Sequence, residues 1–309
     1  MGNIIVTSIG RDRPGIVAGI SNILYQHNAN ILKTRASILG GLFVMVMVVD
    51  VSKINLKLEE LVSKLKEKGI ELGSGISVED EKVYRRKKKL IAFDLDGTLI
   101  KMETLDELAK AAGVYDEVKK ITRMAMEGKI GFREALKKRV KLLKNLPVEE
   151  VEKLKERIEF NVGVQDLVKE LKKAGFVTAI ITGGFDVFAN YVAEKLGIDY
   201  VYANRLIVRK GVLTGEFEGK IVSARSKLKA LAEIAKKEGI SLSECVAVGD
   251  GANDIFILKS SGLGIGYKPK KVVENHAKAL VNSEDLRTIM AFIGGGQIRK
   301  DVIRKLKRR

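Results

Sequence analysis

The pattern of apolar and polar positions divides the chain into two parts. Residues 4–9 form a short apolar run that ends in Gly10-Arg11-Asp12-Arg13-Pro14-Gly15, which reads as a strand followed by a turn. A helix is expected over 14–27, since proline suits the first helical turn. Two further apolar runs, 29–39 and 42–51, flank Gly40-Gly41, a hairpin signal. A second helix is expected over 56–68, with Leu58, Leu61, Val62 and Leu65 on one face. A last strand over 70–79 completes a βαββαβ order.

From Leu90 onward the pattern alternates between strand-like runs and helical stretches. The runs 90–95, 177–181, 200–203, 245–248 and 263–265 predict a mainly parallel α/β sheet. Residues 103–161, roughly, carry no strand pattern and read as helical. Such an insert is best placed as a cap over the carboxyl ends of the strands, where open α/β sheets bind ligands. Segments 207–208 and 212–217, turned by Lys210-Gly211, predict a hairpin. The expected domains are 1–80, a basic linker over 81–89, and 90–309. Gly294-Gly295-Gly296 reads as a flexible joint before a basic tail over 299–309.

Composition narrows the function classes. The formal charge of +17 invites a nucleic-acid partner, but much of it sits in Arg85-Arg86-Lys87-Lys88-Lys89 and in the tail. Elsewhere lysine and glutamate alternate on helical faces, which argues against nucleic acid. A basic surface also attracts small dianions. The longest apolar run, 42–49, is too short to cross a bilayer, so no membrane role is expected. A single cysteine, Cys245, excludes an internal disulfide and suits a reducing cytoplasm.

The candidate chemistry lies at strand ends. The strand over 90–95 leads into Asp94-Leu95-Asp96-Gly97-Thr98. Two carboxylates at i and i+2 repel unless a cation sits between them, though the motif alone also fits a strand-end cap and turn. The strand over 177–181 leads into Thr182-Gly183-Gly184, where a hydroxyl and free amides can hold phosphate oxygens. Lys227 opens a helix, and the strand over 245–248 ends in Gly249-Asp250-Gly251-Ala252-Asn253-Asp254. Together the four supply a carboxylate nucleophile, a phosphate clamp, a cation and a metal site.

In this order, these motifs resemble the haloacid dehalogenase-like phosphatases. The run from Asp94 to Glu103, with Met126, Phe132 and Arg139, is similar to the branch that acts on phosphoserine. The resemblance departs at Thr182, where that branch usually carries serine. It implies a Rossmann-like parallel-sheet core with an inserted helical cap, and magnesium-dependent hydrolysis of a phosphomonoester through an aspartyl-phosphate. Asp94 is the expected nucleophile, Asp96 the acid and base, and Lys227 a charge-stabilising group. Magnesium is expected on Asp94, the Asp96 backbone carbonyl and Asp250, with Asp254 orienting its shell. Thr182, Gly183, Gly184 and Asn253 are expected around the phosphate. In the cap, Glu103 would pair with the substrate ammonium and Arg139 with its carboxylate, while Phe132 and Met126 close an apolar wall. Two alternatives stand beside this: another small phosphomonoester such as phosphohomoserine, or an amino-acid sensor or nucleic-acid-binding protein with vestigial catalysis.

The front unit, with Gly10-Arg11-Asp12-Arg13-Pro14-Gly15-Ile16-Val17 inside a ferredoxin-like βαββαβ order, resembles ACT domains. This implies a homodimer, with an amino acid bound between subunits near Asp12, Gly15 and Asn30; L-serine is the expected ligand because the expected catalytic product is itself an amino acid.

Overall fold

The computed structural model describes residues 2–39, 42–85, 87–219 and 221–293. The Gly40-Gly41 turn, Arg86, the Gly294-Gly295-Gly296 joint and the 299–309 tail lie outside the described residues. The front unit runs β1 (Asn3–Arg11), α1 (Ile16–Gln26), β2 (Asn30–Leu39), β3 (Leu42–Asp50), α2 (Leu58–Glu71) and β4 (Ser74–Asp80). α2 outlasts the predicted helix and takes 70–71 from the predicted strand, so β4 begins only at Ser74. The buried face of α2 continues through Gly69 while Ile70 is exposed, and the turn comes at Gly73, whose φ of 59° is left-handed. One sheet face packs Ile4, Val6, Met45, Met47, Ile76 and Val78 against Ile16, Ile20 and Leu24 of α1 and Leu61 and Leu65 of α2.

A short helix, α3 (Glu81–Arg85), follows where the basic linker was expected. The second part begins with β5 (Leu90–Phe93) and then four cap helices: α4 (Thr104–Ala111), α5 (Tyr115–Met126), α6 (Phe132–Leu142) and α7 (Val148–Glu156). Helix α8 (Val164–Lys173), β6 (Val177–Phe185), α9 (Asp186–Leu196), and the hairpin β7 (Tyr200–Arg209) and β8 (Val212–Glu218) come next. The chain continues through α10 (Ala224–Lys237), β9 (Cys245–Gly249), α11 (Ile255–Ser260), β10 (Leu263–Tyr267), α12 (Lys271–Glu274) and β11 (Ala279–Val281). Strands β5, β6, β7, β9, β10 and β11 pair in parallel. β5 lies between β6 and β9, so the Asp94 and Asp250 strand ends sit side by side.

The two parts share one sheet of order β2-β3-β1-β4-β11-β10-β9-β5-β6-β7-β8. The junction is antiparallel, with Ser77 opposite Ala279 and the Val78 amide donating to the Lys278 carbonyl at 3.2 Å. Gly75 makes it possible, because a Cβ there would run into the Leu280 carbonyl oxygen. Lys66 of α2 reaches across and donates to the carbonyls of Ala277 and Glu274. Ile9 of β1 belongs to the same apolar cluster as Phe93, Ile265 and Phe292.

Candidate active site

β5 is buried along its whole length, and the Asp94 amide extends its ladder by donating to the Val248 carbonyl at 2.9 Å. Asp94 emerges at the carboxyl end, 5% exposed. Its Oδ1 accepts from the Leu95 amide at 2.8 Å and lies 2.8 Å from Lys227 Nζ. Its Oδ2 faces Asn253 Nδ2 at a longer 3.4 Å. One oxygen is therefore firmly held and the other only lightly.

The backbone then turns sharply. Gly97 has φ 70°, and a Cβ there would press on Asp250 Oδ2 at 3.2 Å, so both conformation and space favour glycine. Leu95, Leu99 and Ile100 anchor the turn in the core. Asn161 Nδ2 fastens it from the far side of the cap, donating to the carbonyls of Thr98 at 2.9 Å and Gly97 at 3.3 Å. Thr104, buried at the start of α4, donates its hydroxyl to Asp96 Oδ2 at 2.9 Å. Asp96 Oδ1 is buried with no hydrogen-bond partner. Burial, with Glu103 and Asp94 nearby, pushes the Asp96 carboxyl well above the usual carboxylate range.

β6 runs on past Ile181 to Phe185, carrying Thr182, Gly183 and Gly184 within it. The Gly184 amide donates to Thr182 Oγ1 at 2.9 Å. Asn204 of β7 pins this segment, donating to the Gly183 carbonyl at 2.8 Å and accepting from the Val222 amide at 2.7 Å.

Lys227 is fully buried in the first turn of α10, with Nζ 2.7 Å from Asp254 Oδ1 as well as 2.8 Å from Asp94. Burial alone would lower its pKa, but Asp254 and Asp94 outweigh that and raise it. Asp254, buried beside Asp94, is pushed up despite Lys227, and its Oδ2 accepts from the Gly251 amide at 3.1 Å. Asp250 is raised chiefly by burial. Asp94, Asp250 and Asp254 each offer an oxygen within 4.8 Å of the others. Such a buried set of hard oxygen donors fits a divalent cation.

These groups line a cavity of about 120 Å³ whose cap side is formed by Glu103, Leu105, Phe132, Leu136 and Arg139. Arg139, on α6, is steadied by Thr122 Oγ1 of α5 and the Ala135 carbonyl, both at 3.3 Å. Burial lowers its pKa, offset in part by Asp106 and Glu103.

The structure thus brings Asp94, Asp96, Glu103, Phe132, Arg139, Thr182, Gly183, Gly184, Asp250 and Asn253 to one cavity, with Lys227 and Asp254 directly behind it. Met126 is the exception. It ends α5 at 82% exposure and is not among the lining residues. Asn30 lies apart from Asp12 and Gly15 within one chain. It starts β2 opposite Asp50, which also pairs with Asn3 at the start of β1, whereas Asp12 and Gly15 follow the far end of β1. The 11 residues of α1 separate the two places by about 16 Å at 1.5 Å per residue, so one chain does not unite them. Asp12 and Gly15 themselves are exposed, and Gly15 caps α1 with a left-handed φ of 93°.

Sequence reasoning missed Lys270, which lines the cavity just before α12. It also missed Thr104 and Asn161, whose buried contacts with Asp96 and with its turn are set by the return of the chain from the cap.

The chain belongs to the haloacid dehalogenase-like hydrolases, whose family model matches residues 91–259. Residues 3–79 match an ACT domain. Among its relatives is the phosphoserine phosphatase of Methanocaldococcus jannaschii, 51% identical over 208 residues, which are 67% of this chain and 99% of that protein. That of Archaeoglobus fulgidus is 42% identical over 282 residues, 91% of this chain and 81% of the relative. A solved phospho-aspartyl intermediate analogue of a phosphoserine phosphatase is 51% identical with a TM-score of 0.64, covering 68% of this chain and 100% of that one.

Proposed function

We propose that the chain hydrolyses O-phospho-L-serine to L-serine and phosphate in a magnesium-dependent reaction. The observation that carries this is the cavity itself. It joins the buried nucleophile Asp94 and the acid-base carboxyl of Asp96 to a cap that presents one carboxylate, Glu103, and one guanidinium, Arg139. Its charges match the phosphate, ammonium and carboxylate of a phosphorylated amino acid.

Asp94 Oδ2 attacks phosphorus in line while Oδ1 stays on the Leu95 amide and Lys227. The bond from phosphorus to the serine oxygen breaks, and Asp96, whose carboxyl pKa is pushed upward by burial, donates its proton to that oxygen. Asp96 then takes a proton from water as the water attacks phosphorus, releasing phosphate and restoring the Asp94 carboxylate. Asp94, the Asp96 carbonyl and Asp250, with Asp254 beside them, would hold magnesium, which would supply charge neutralisation when bound. Thr182, the Gly183 and Gly184 segment, Asn253 and Lys227 stabilise the equatorial oxygens. Phe132 shields the cavity, and a Cβ added at Gly183 would meet its ring at 3.6 Å. Met126 would have to move inward to contribute.

Further elements of the reading rest on the ACT match. The front domain, 1–80, pairs two chains and senses L-serine at Asp12 and Gly15, with Asn30 supplied by the second copy. The reading takes 81–89 as the connection and 90–309 as the phosphatase, with a cap at about 103–161; the starts of β5 and α4 support it. Among the described residues no helix is long and apolar enough to cross a membrane, in keeping with a cytoplasmic enzyme.

Phosphate release from phosphoserine, phosphothreonine and an aryl phosphate, with and without magnesium, tests the proposal. Magnesium-dependent release with phosphoserine preferred is the expected result, and Asp94→Asn should lower it about 10³-fold or more. Equal activity of Asp94→Asn and wild type would overturn the mechanism, and indifference to the amino-acid moiety would overturn the substrate.

A further inference from the structure

Lys270 belongs to none of the motifs that define the site, yet its ammonium stands in the cavity mouth. Nζ lies 3.3 Å from Asp250 Oδ2 and 3.6 Å from Glu103 Oε1. The main chain of Lys270 is fixed there, since its amide donates to the Asp250 carbonyl at 2.9 Å. The side chain is 60% exposed, so it can leave for solvent while the backbone stays in place.

We propose that Lys270 is an internal counter-ion that occupies the acidic mouth of the cavity until magnesium and the substrate ammonium replace it, and so sets the affinity for both. The part concerning Glu103 rests on the phosphoserine reading above. Asp94, Asp250, Asp254 and Glu103 gather at one place, and the buried Lys227 is committed to Asp94 and Asp254. Lys270 pairs with the other two, offsetting part of their charge. Its ammonium has the charge and donors of the substrate's own ammonium, so the two compete for Glu103. At Asp250 Oδ2 it competes with a metal ion for the same lone pairs. One side chain thereby links two ligands: once either displaces Lys270, the other has lost its competitor, and the two bind with positive coupling.

Calorimetric titration of magnesium into metal-free wild type, Lys270→Met and Lys270→Arg tests this without turnover. Lys270→Met should bind magnesium about 3- to 10-fold more tightly, a modest gain because the competing pair is partly exposed, and Lys270→Arg should resemble wild type. In kinetics at subsaturating magnesium, Lys270→Met should lower KM for phosphoserine several-fold more than KM for an aryl phosphate without an ammonium. Unchanged or weaker magnesium binding by Lys270→Met would overturn the proposal, as would a rise in KM for both substrates, which would make Lys270 a phosphate ligand. Lys270→Gln replaces Lys270→Met if the latter does not fold. Should wild type not cleave phosphoserine at all, the Glu103 reading fails, while the magnesium titration still decides the role at Asp250.

Discussion

At the scale of single residues, Lys227 is the buried cation of the site. It lies between two buried carboxylates, and nothing in its sequence neighbourhood of Arg225 and Lys229 distinguishes it from a solvated base. Lys227→Met should leave Asp94 and Asp254 in unrelieved repulsion and destabilise the chelator-treated protein by about 3–5 kcal/mol, read by denaturant unfolding. Added magnesium should restore part of that loss, since it would bridge the same oxygens, but not activity. Asp94, Asp96, Thr182 and Asp250 were legible because each follows an apolar strand, and a polar group at that place faces the ligand side of the sheet. Lys270 was not, because Lys268-Pro269-Lys270-Lys271 has the pattern of an exposed turn, and only the fold brings it opposite Glu103.

At the scale of elements, the cap decides which phosphomonoester fits. The helical character of 103–161 could be read from its periodicity, and α4 to α7 lie within it. Which face of α6 meets the cavity could not be read, since Lys137-Lys138-Arg139 offers three adjacent bases. Packing settles it: Leu136 and Val140 are buried, which turns Arg139 toward Thr122 and the cavity rim. A fork-shaped guanidinium can hold a carboxylate through two parallel hydrogen bonds, and an ammonium cannot. Arg139→Lys should therefore raise KM for phosphoserine about tenfold, with kcat and the KM for an aryl phosphate changed less than about twofold. Met126 shows the limit of motif reading, because its place at a helix end leaves it exposed while its neighbour in the motif, Phe132, lines the cavity.

At the scale of the whole molecule, the front domain and the phosphatase share a sheet, so their coupling does not depend on the chain connection alone. Lys66 is the buried polar contact at that junction. Desolvation there lowers its pKa from 10.5 to about 8. Between pH 8 and 10.5 the unfolded chain binds more protons than the folded one, so stability must rise with pH. The penalty for burying the charged form is complete below pH 8 and relieved above it. Denaturant unfolding of wild type and Lys66→Met should show wild type gaining on the variant between pH 8 and pH 10, by at most about 1.4 kcal/mol per pH unit. A difference that stays flat across this range would mean that Lys66 is not buried at the junction in solution.

The sequence by itself determined the two-part organisation, the strand ends that carry the acids, and the helical nature of the cap, because these are properties of neighbours along the chain. Hydrophobic period and turn residues are local, and so is an acid placed just after an apolar run. Tertiary structure alone decided what stands between them. The three-residue β11 is too short to announce itself, and its pairing with β4 depends on the missing side chain of Gly75. Lys66 at the junction, Lys227 behind Asp94 and Lys270 before Glu103 are lysines like the many on the surface. Their roles come from partners 20 to 211 residues away, which the local sequence pattern does not show.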